Sequence, residues 1–306
     1  MEFNLIGNEI FCRRKSFSEK ILTPDFWNGA ISNLSASSKI DCFELDLSDD
    51  QSDAVRGDIH LDGATIAESV VPSKLSLELR EGIDEVRRVF GHEIFALVYD
   101  QPWEALGHSL PYIRAAMGSG CRAVPMPFVN YVPPGDAGFA PHRDRKFAPI
   151  ADDGMPNIMT VWTAVTEAST KRGCLAVLPT RFDPCFPDQL DQIKVSDARN
   201  IRALPVQAGD SVIFNQAIVH MGTRNVTDKP RVAFAIEIER AGLPGARRPG
   251  IELDSPISLQ DRLALIGVSI GALSRNNLSF EDSHLDLARA MAYHAHGDEF
   301  DYLWGS

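Results

Sequence analysis

Residues 209–231 read GDSVIFNQAIVHMGTRNVTDKPR, and this stretch decides the fold. Gly209 and Asp210 give a turn signal, residues 211–220 have strand character, and polar residues 223–230 lead to a second strand that begins at Arg231. If the two strands pair antiparallel about a centre near residue 225, His220 and Arg231 lie opposite each other on one face. Period-two alternation places further side chains on that face, namely Phe214, Gln216, Ile218, Ala233 and Ala235. The stretch therefore predicts that His220 and Arg231 point into the same interior.

The middle of the chain contains more short segments that are apolar or alternating, with Gly, Pro and Asp between them. They span residues 95–99, 123–132, 158–166, 175–178, 201–206, 211–214 and 232–238. Many short strands separated by turn signals are typical of a sandwich or a barrel. A double-sheet jelly roll of about eight strands fits this number.

Helical periodicity frames this β-rich region on both sides. A capped helix begins at Thr23-Pro24-Asp25, and apolar spacing indicates helices over 75–90, 103–117, 257–275 and 282–294. We expect one domain over residues 1–306, with a core at about 95–240, a helical and loop support at 1–94 and a helical extension at 241–306. The extension is expected to buttress a sheet, cover the mouth of the fold or form a dimer contact, and the oligomeric state stays open.

Composition excludes several classes of protein. The net charge of −12 leaves no basic patch for nucleic acid. There is no apolar run of about 18 residues, and the N-terminus lacks the pattern of a signal peptide. Five cysteines without a CxxC spacing indicate thiols in a reducing, cytoplasmic compartment. The acidic run at 44–53 is expected to be a solvated loop.

The motif His-x-Asp occurs four times, so it selects no site by itself. The pairs are His60/Asp62, His142/Asp144, His284/Asp286 and His296/Asp298. His284/Asp286 lies in a helical pattern, where residues two apart diverge. His296/Asp298 has no strand after it, and His60/Asp62 has no strand before it. His142/Asp144 follows a strand and precedes a sheet-like region ending in His220. These three residues match the 2-His-1-carboxylate triad that holds non-haem Fe(II) in oxygenases.

Arg231 adds a second chemical signal. A buried guanidinium needs an anionic partner, because an unpaired buried charge is costly. Its planar fork suits a carboxylate in two-point contact, as the far carboxylate of a 2-oxo acid would require. The alternative is a structural Asp or Glu as its partner.

Four sequence blocks together resemble the phytanoyl-CoA dioxygenase-like (PhyH) family of Fe(II)/2-oxoglutarate-dependent oxygenases. They are VNY (129–131) before PHRD (141–144), VWTAVT (161–166) with GCLAVLP (173–179), GD (209–210) through Phe214 to His220, and Gly222 with Asn225 and DKPR (228–231). The likeness covers about residues 120–240. One stretch and one further position depart from the family pattern, since TRF (180–182) stands where the family often has Gly-Ser-His, and Gly222 stands where some members have Ser.

The resemblance implies a double-stranded β-helix, a cupin-like jelly roll, within a mainly β fold with flanking helices. It implies Fe(II) on His142, Asp144 and His220, and 2-oxoglutarate on Arg231, with O2 as the oxidant. Asn130 matches a residue that contacts the cosubstrate. Thr160 and Trp162, on one face of the same strand, are expected to line the same pocket, with a plain core role as the alternative for Trp162.

The predicted function is a dioxygenase that hydroxylates an unactivated C–H of a small metabolite or natural-product intermediate and releases succinate and CO2. Desaturation, epimerisation or ring closure by the same iron chemistry stay open. A cupin-like metal isomerase or ligand-binding protein is the alternative of a different class. Cationic residues near the site would favour an anionic substrate, unless they are solvated loop charges: Arg122, Arg143, Arg145, Lys146 and Arg224.

Overall fold

Two antiparallel sheets form the centre of the fold. The computed structural model describes residues 19–41, 45–145, 150–243, 249–275 and 279–296. Its strands are β1 (Lys39–Ile40), β2 (Ala64–Ala67), β3 (Arg122–Val132), β4 (Ile158–Ala164), β5 (Leu175–Leu178), β6 (Arg202–Leu204), β7 (Ser211–Asn215), β8 (Val219–Gly222), β9 (Arg231–Glu239), β10 (Ile251–Glu252) and β11 (Ile257–Ser258).

Within the described residues, the larger sheet has the order β10-β3-β9-β4-β7-β2 and the smaller sheet has the order β6-β5-β8. Strands β1 and β11 form a separate short pair. Two facing sheets with flanking helices are the double-stranded β-helix, so the predicted fold class is confirmed. Strand β2, which lies in the predicted N-terminal support, pairs with β7 and extends the larger sheet.

Strand β9 shows how the sequence builds two cores on one sheet. Val232, Phe234 and Ile236 point to the helices on the outer face, whereas Ala233 and Ala235 face the smaller sheet. Because successive side chains alternate between faces, Arg231 shares the inner face with the two alanines. The small residues leave space there for a cavity.

Helices cover the outer face of the larger sheet. They are α1 (Pro24–Ala30), α2 (Asp49–Asp62), α3 (Ser73–Phe90), α4 (Asp100–Met117), α5 (Leu259–Arg275) and α6 (Asp282–His296). Helix α5 packs on β3 and on α6. The C-terminal extension therefore buttresses the sheet, and a dimer contact through it stays a prediction. Among the described residues, no helix is both long and apolar enough to cross a membrane.

The strand predicted at 95–99 is wrong. The chain forms a buried 3-10 helix at Glu93–Val98, which begins where the His92 side chain accepts a hydrogen bond from the backbone of Ile94. A short continuous apolar run has no periodicity that separates a strand from a buried helix. The acidic run was also only partly a loop, because Ser48 caps α2 and Asp49 begins it.

The single strand predicted over 211–220 is also wrong. Asn215 ends β7, and its side chain accepts a hydrogen bond from Ala217 N at 2.9 Å, which closes a tight turn before β8. Strand β8 pairs with β5 in the smaller sheet, and β9 pairs with β3 and β4 in the larger one. His220 and Arg231 are therefore not cross-strand neighbours in a hairpin.

A bulge in β3 bends the larger sheet beside the cavity. The regular pairing with β9 is interrupted between Val124 and Phe128, and Met126, flanked by prolines, has a φ of 112°. This is a conformation that residues other than glycine rarely adopt. The buried Ser269 on α5 accepts a hydrogen bond from Met126 N at 3.0 Å and holds the bulge in place.

Candidate active site

The His142–Asp144 segment runs beside β8 and extends the smaller sheet. His142 N donates to His220 O at 3.0 Å, and His220 N donates back to His142 O at 2.9 Å. Asp144 N then donates to Gln216 O at 3.0 Å. Two residues distant in sequence, His142 and His220, thus lie directly opposite each other, with ring centroids 4.2 Å apart.

The side chains of His142, Asp144 and His220 converge on one point. Their possible ligand atoms all lie within 4.8 Å of one another. Among the described residues, this is the cluster of His, Cys, Asp or Glu side chains that is close enough to hold a metal ion. The Nε2 atoms of His142 and His220 lie 3.3 and 3.6 Å from the Asp144 carboxylate. In both histidines Nδ1 faces a backbone carbonyl, of Ala140 at 2.7 Å and of Ile218 at 3.3 Å. Carbonyls fix the proton on Nδ1 and leave the Nε2 lone pair for a metal.

The electrostatics of the three groups are coupled. The hydrogen bond that His142 donates to the Asp144 carboxylate raises the pKa of His142, whereas burial lowers the pKa of His220. Burial acts to raise the pKa of Asp144, but the His142 hydrogen bond and the nearby charges outweigh it and the pKa lies below its usual range. A carboxylate held ionised between two imidazoles is a donor set that fits a divalent metal ion.

The three residues border a cavity of about 250 Å³ between the sheets. Most of its wall is apolar, with contributions from Met126, Phe128, Phe139, Leu175, Phe214 and Leu273. Leu273 comes from α5, so the C-terminal extension also forms part of the cavity. Phe139 is 45 % exposed and lies at the entrance, in the loop before the metal-ligand candidates.

Arg231 is completely buried and lacks an anionic partner among the described residues. Its Nε donates to Gly173 O at 3.0 Å and its Nη1 to Asn130 O at 3.4 Å, but no hydrogen-bond partner for Nη2 lies in the part of the chain that the structure describes. Burial lowers its pKa to about 10, so the guanidinium is still charged at neutral pH. A buried cation with an unused donor fits the carboxylate of a 2-oxo acid.

The other predicted cosubstrate residues lie at the cavity. Asn130, Thr160 and Trp162 all line it. The Trp162 ring lies 5.3 Å from the Arg231 guanidinium, and its buried Nε1 likewise lacks a hydrogen-bond partner in the described part of the chain. Thr160 accepts a hydrogen bond from Gln216 at 2.9 Å, which ties it to the turn before His220.

The predicted cationic rim does not form as expected. Arg143 is buried and pairs with Asp183 at 2.6 Å, so it is neither a rim residue nor a solvated one. Arg122 pairs with Glu239, and Arg224 is an exposed residue that donates to Gly135 O. Lys146 lies outside the described residues. Most of the residues that supported the prediction of an anionic substrate therefore do not form a cationic rim.

Several residues around the site were not predicted. Phe139, Met126 and Leu273 line the cavity, as does the buried carboxylate Glu237. Alternation along β9 from Arg231 would have placed Glu237 on the inner face. The bulge that points Met126 inwards and the docking of α5 have no comparable local signal.

Comparison with known families identifies the group to which this fold and site belong. The family model described as phytanoyl-CoA dioxygenase (PhyH) matches residues 59–233, more than half of the chain. The chain belongs to this family. The resemblance to this family seen in the sequence is confirmed.

Individual relatives are more distant. The dioxygenase lolE1 of Epichloe uncinata is 28% identical over 103 residues, which are 33% of this chain and 39% of that protein. The carbocyclase SnoK from nogalamycin biosynthesis has a TM-score of 0.53 at 21% identity, covering 69% of this chain and 97% of its own. The epimerase SnoN from the same biosynthesis has a TM-score of 0.51 at 19% identity, covering 69% and 94%. These two structures show the shared fold.

Proposed function

We propose that the protein is an Fe(II)/2-oxoglutarate-dependent dioxygenase that hydroxylates an unactivated C–H bond of a small metabolite or natural-product intermediate, with release of succinate and CO2. One observation carries the proposal: a His-Asp-His cluster borders the cavity, and a buried arginine with an unused donor lies beside Trp162, which lines the same cavity. The first suits iron and the second suits the far carboxylate of the cosubstrate. The arginine also argues against a cupin-like isomerase or binding protein, which needs no such anion partner.

The residues have separate roles in this proposal. His142 and His220 present Nε2 to the metal because backbone carbonyls orient their Nδ1 atoms. Asp144 supplies the anionic ligand. Bound iron supplies the activation of O2 that this chemistry needs. Arg231 holds the cosubstrate, and Asn130, Thr160 and Trp162 line its side of the cavity.

The cavity wall supports a substrate that is largely apolar near the iron. Most of the lining side chains are aromatic or aliphatic. The same iron chemistry also gives desaturation, epimerisation or ring closure. Two proteins of the same fold carry the names epimerase and carbocyclase, so these outcomes stay open beside hydroxylation.

We also infer that the described residues form one oxygenase domain, since the helices on both sides of the core pack on the same sheet. The free thiols of Cys121, Cys174 and Cys185 support a reducing, cytoplasmic compartment.

The test measures turnover of 2-oxoglutarate to succinate in the absence of a substrate. Protein with Fe(II), ascorbate and 2-oxoglutarate is expected to release succinate, and His142→Ala is expected to abolish that release. His60→Ala is the matched control, because His60 is an exposed residue of α2 and belongs to a His-x-Asp pair outside the proposed site. Equal succinate release from all three proteins would contradict the assignment of iron to His142.

A further inference from the structure

The residue between two of the proposed iron ligands has its own set of contacts. Arg143 lies between His142 and Asp144, and alternation sends its side chain to the opposite side of the segment. The Arg143 side chain is 0% exposed, whereas those of His142 and Asp144 are 37% and 25% exposed. The central residue of the motif is thus buried away from the cavity.

Arg143 joins three separate segments of the chain. Its Nη1 donates to Asp183 Oδ2 at 2.6 Å and to Ala217 O at 2.7 Å, and its Nη2 donates to Gln192 O at 3.2 Å. Asp183 is also buried, and its other oxygen accepts from Cys185 N at 2.9 Å. The guanidinium therefore ties the ligand segment to the loop after β5 and to the turn between β7 and β8.

That turn controls the third ligand. The carbonyl of Ala217, which Arg143 binds, precedes the carbonyl of Ile218, which faces Nδ1 of His220 at 3.3 Å. In the same turn, Gln216 O accepts from Asp144 N at 3.0 Å. A shift of the turn would rotate the His220 ring and displace Asp144 together.

We propose that Arg143 and Asp183 form a positioning pair for the iron site, which holds the His142–Asp144 segment in register with the turn that orients His220. This inference rests on the proposed function, because it assumes that His142, Asp144 and His220 bind the metal. Outer residues that orient metal ligands typically change metal affinity about 10- to 100-fold when they are substituted. The pair itself does not touch metal, cosubstrate or substrate.

A second buried ion pair gives a matched control. Arg262 on α5 is 0% exposed, donates to Asp100 Oδ1 at 2.7 Å, and also binds the carbonyls of Val98 and Ser37. Asp100, like Asp183, also accepts a hydrogen bond from a backbone N–H, that of Ser37. The two pairs have the same chemistry, but Arg262 and Asp100 lie in helices α5 and α4 on the outer face of the larger sheet.

The experiment measures the dissociation constant of Co(II) alone, by visible absorption, in two double variants. Arg143→Met with Asp183→Asn is expected to weaken Co(II) binding about 10- to 100-fold, and Arg262→Met with Asp100→Asn is expected to leave it within about twofold of the original protein. Far-ultraviolet circular dichroism checks the fold and its melting temperature in each. Each double variant removes both charges together, so no uncompensated buried charge is left to unfold the chain.

Arg143→Lys provides a milder variant, because the ammonium keeps the charge beside Asp183 but cannot form the three-way contact of the planar fork. It is expected to fold and to bind Co(II) about 10-fold more weakly. Unchanged Co(II) affinity in folded Arg143 variants would overturn the proposal, as would equal weakening in the Arg262 control. If His220→Ala binds Co(II) as well as the original protein does, the proposed metal site fails instead.

Discussion

Two buried arginines, Arg231 and Arg262, occupy similar depths in the molecule and have different surroundings. Both are 0% exposed. Arg262 binds the carboxylate of Asp100 and backbone carbonyls on either side of it. Arg231 binds two backbone carbonyls, and among the described residues no carboxylate pairs with it and nothing accepts from its Nη2.

The difference separates a structural cation from one that we propose to bind a ligand. Arg262 connects α5 to the start of α4 and to the segment before β1, so its charge is neutralised within the protein. Arg231 lies beside Asn130 and Trp162, two residues that line the cavity, and it keeps its charge because burial lowers its pKa only to about 10. An arginine that is buried without an anion indicates an anion that arrives from outside.

The largest expected effect is a loss of stability in Arg262→Met. The substitution leaves Asp100 buried without its counter-ion, and breaking a buried pair on one side costs about 3–5 kcal/mol. Urea unfolding should show this loss, while 2-oxoglutarate affinity of the folded protein stays unchanged. If Arg262→Met weakened the binding of 2-oxoglutarate, the division between the two arginines would be wrong.

Arg231→Met is expected to have the opposite profile. The affinity for 2-oxoglutarate, measured by calorimetry with Co(II) bound, should fall about 100-fold, or about 2.7 kcal/mol, because a charge-assisted two-point contact is lost. The loss in free energy of unfolding should be smaller than for Arg262→Met, since no anionic partner is left unpaired. Unaltered cosubstrate affinity would remove Arg231 from the site.

Gly222→Ser tests the space beside Arg231. A Cβ on Gly222 would lie 2.6 Å from the Cα of Gly138, and a Cβ on Gly138 would lie 3.3 Å from Nη2 of Arg231. We expect a loss of about 1–3 kcal/mol in the free energy of unfolding from this overpacking. Gly29→Ser is the control, because a Cβ there meets nothing within 4 Å. Equal stability of the two variants would mean that the loop carrying Gly138 moves aside freely.

The smallest expected effect is on how the stability of the protein changes with pH, and it concerns His92 in the helical support. Burial, with the nearby charges of His284 and Arg87, lowers the pKa of His92 from 6.5 to about 4. The unfolded chain therefore takes up a proton between pH 6.5 and about 4 that the folded protein does not, so stability falls as the pH drops through this window. His92→Phe, which keeps the stacking on Phe280, should reduce that fall in thermal melts. The exposed His60→Ala should leave it unchanged.

The sequence predicted those parts of the site that follow from local patterns. The inward direction of Arg231 follows from strand alternation, and the selection of His142/Asp144 follows from the strand before it. The hairpin that was expected to place His220 beside Arg231 does not exist, because the Asx turn at Asn215 sends β8 into the other sheet. The partner of Arg143 was not predictable either, since Asp183 lies 40 residues away on an irregular loop.

The bulge at Met126 forms one part of the cavity wall. Prolines on both sides and the hydrogen bond from its N–H to Ser269 hold the backbone of Met126 in place. Ser269 and Leu273 both belong to α5, which lies beyond the 59–233 region that the family shares. Met126 and Leu273 therefore limit the size of molecule that the cavity accepts. Exchanging them for larger or smaller residues would change which molecules fit, while the proposed iron ligands stay as they are.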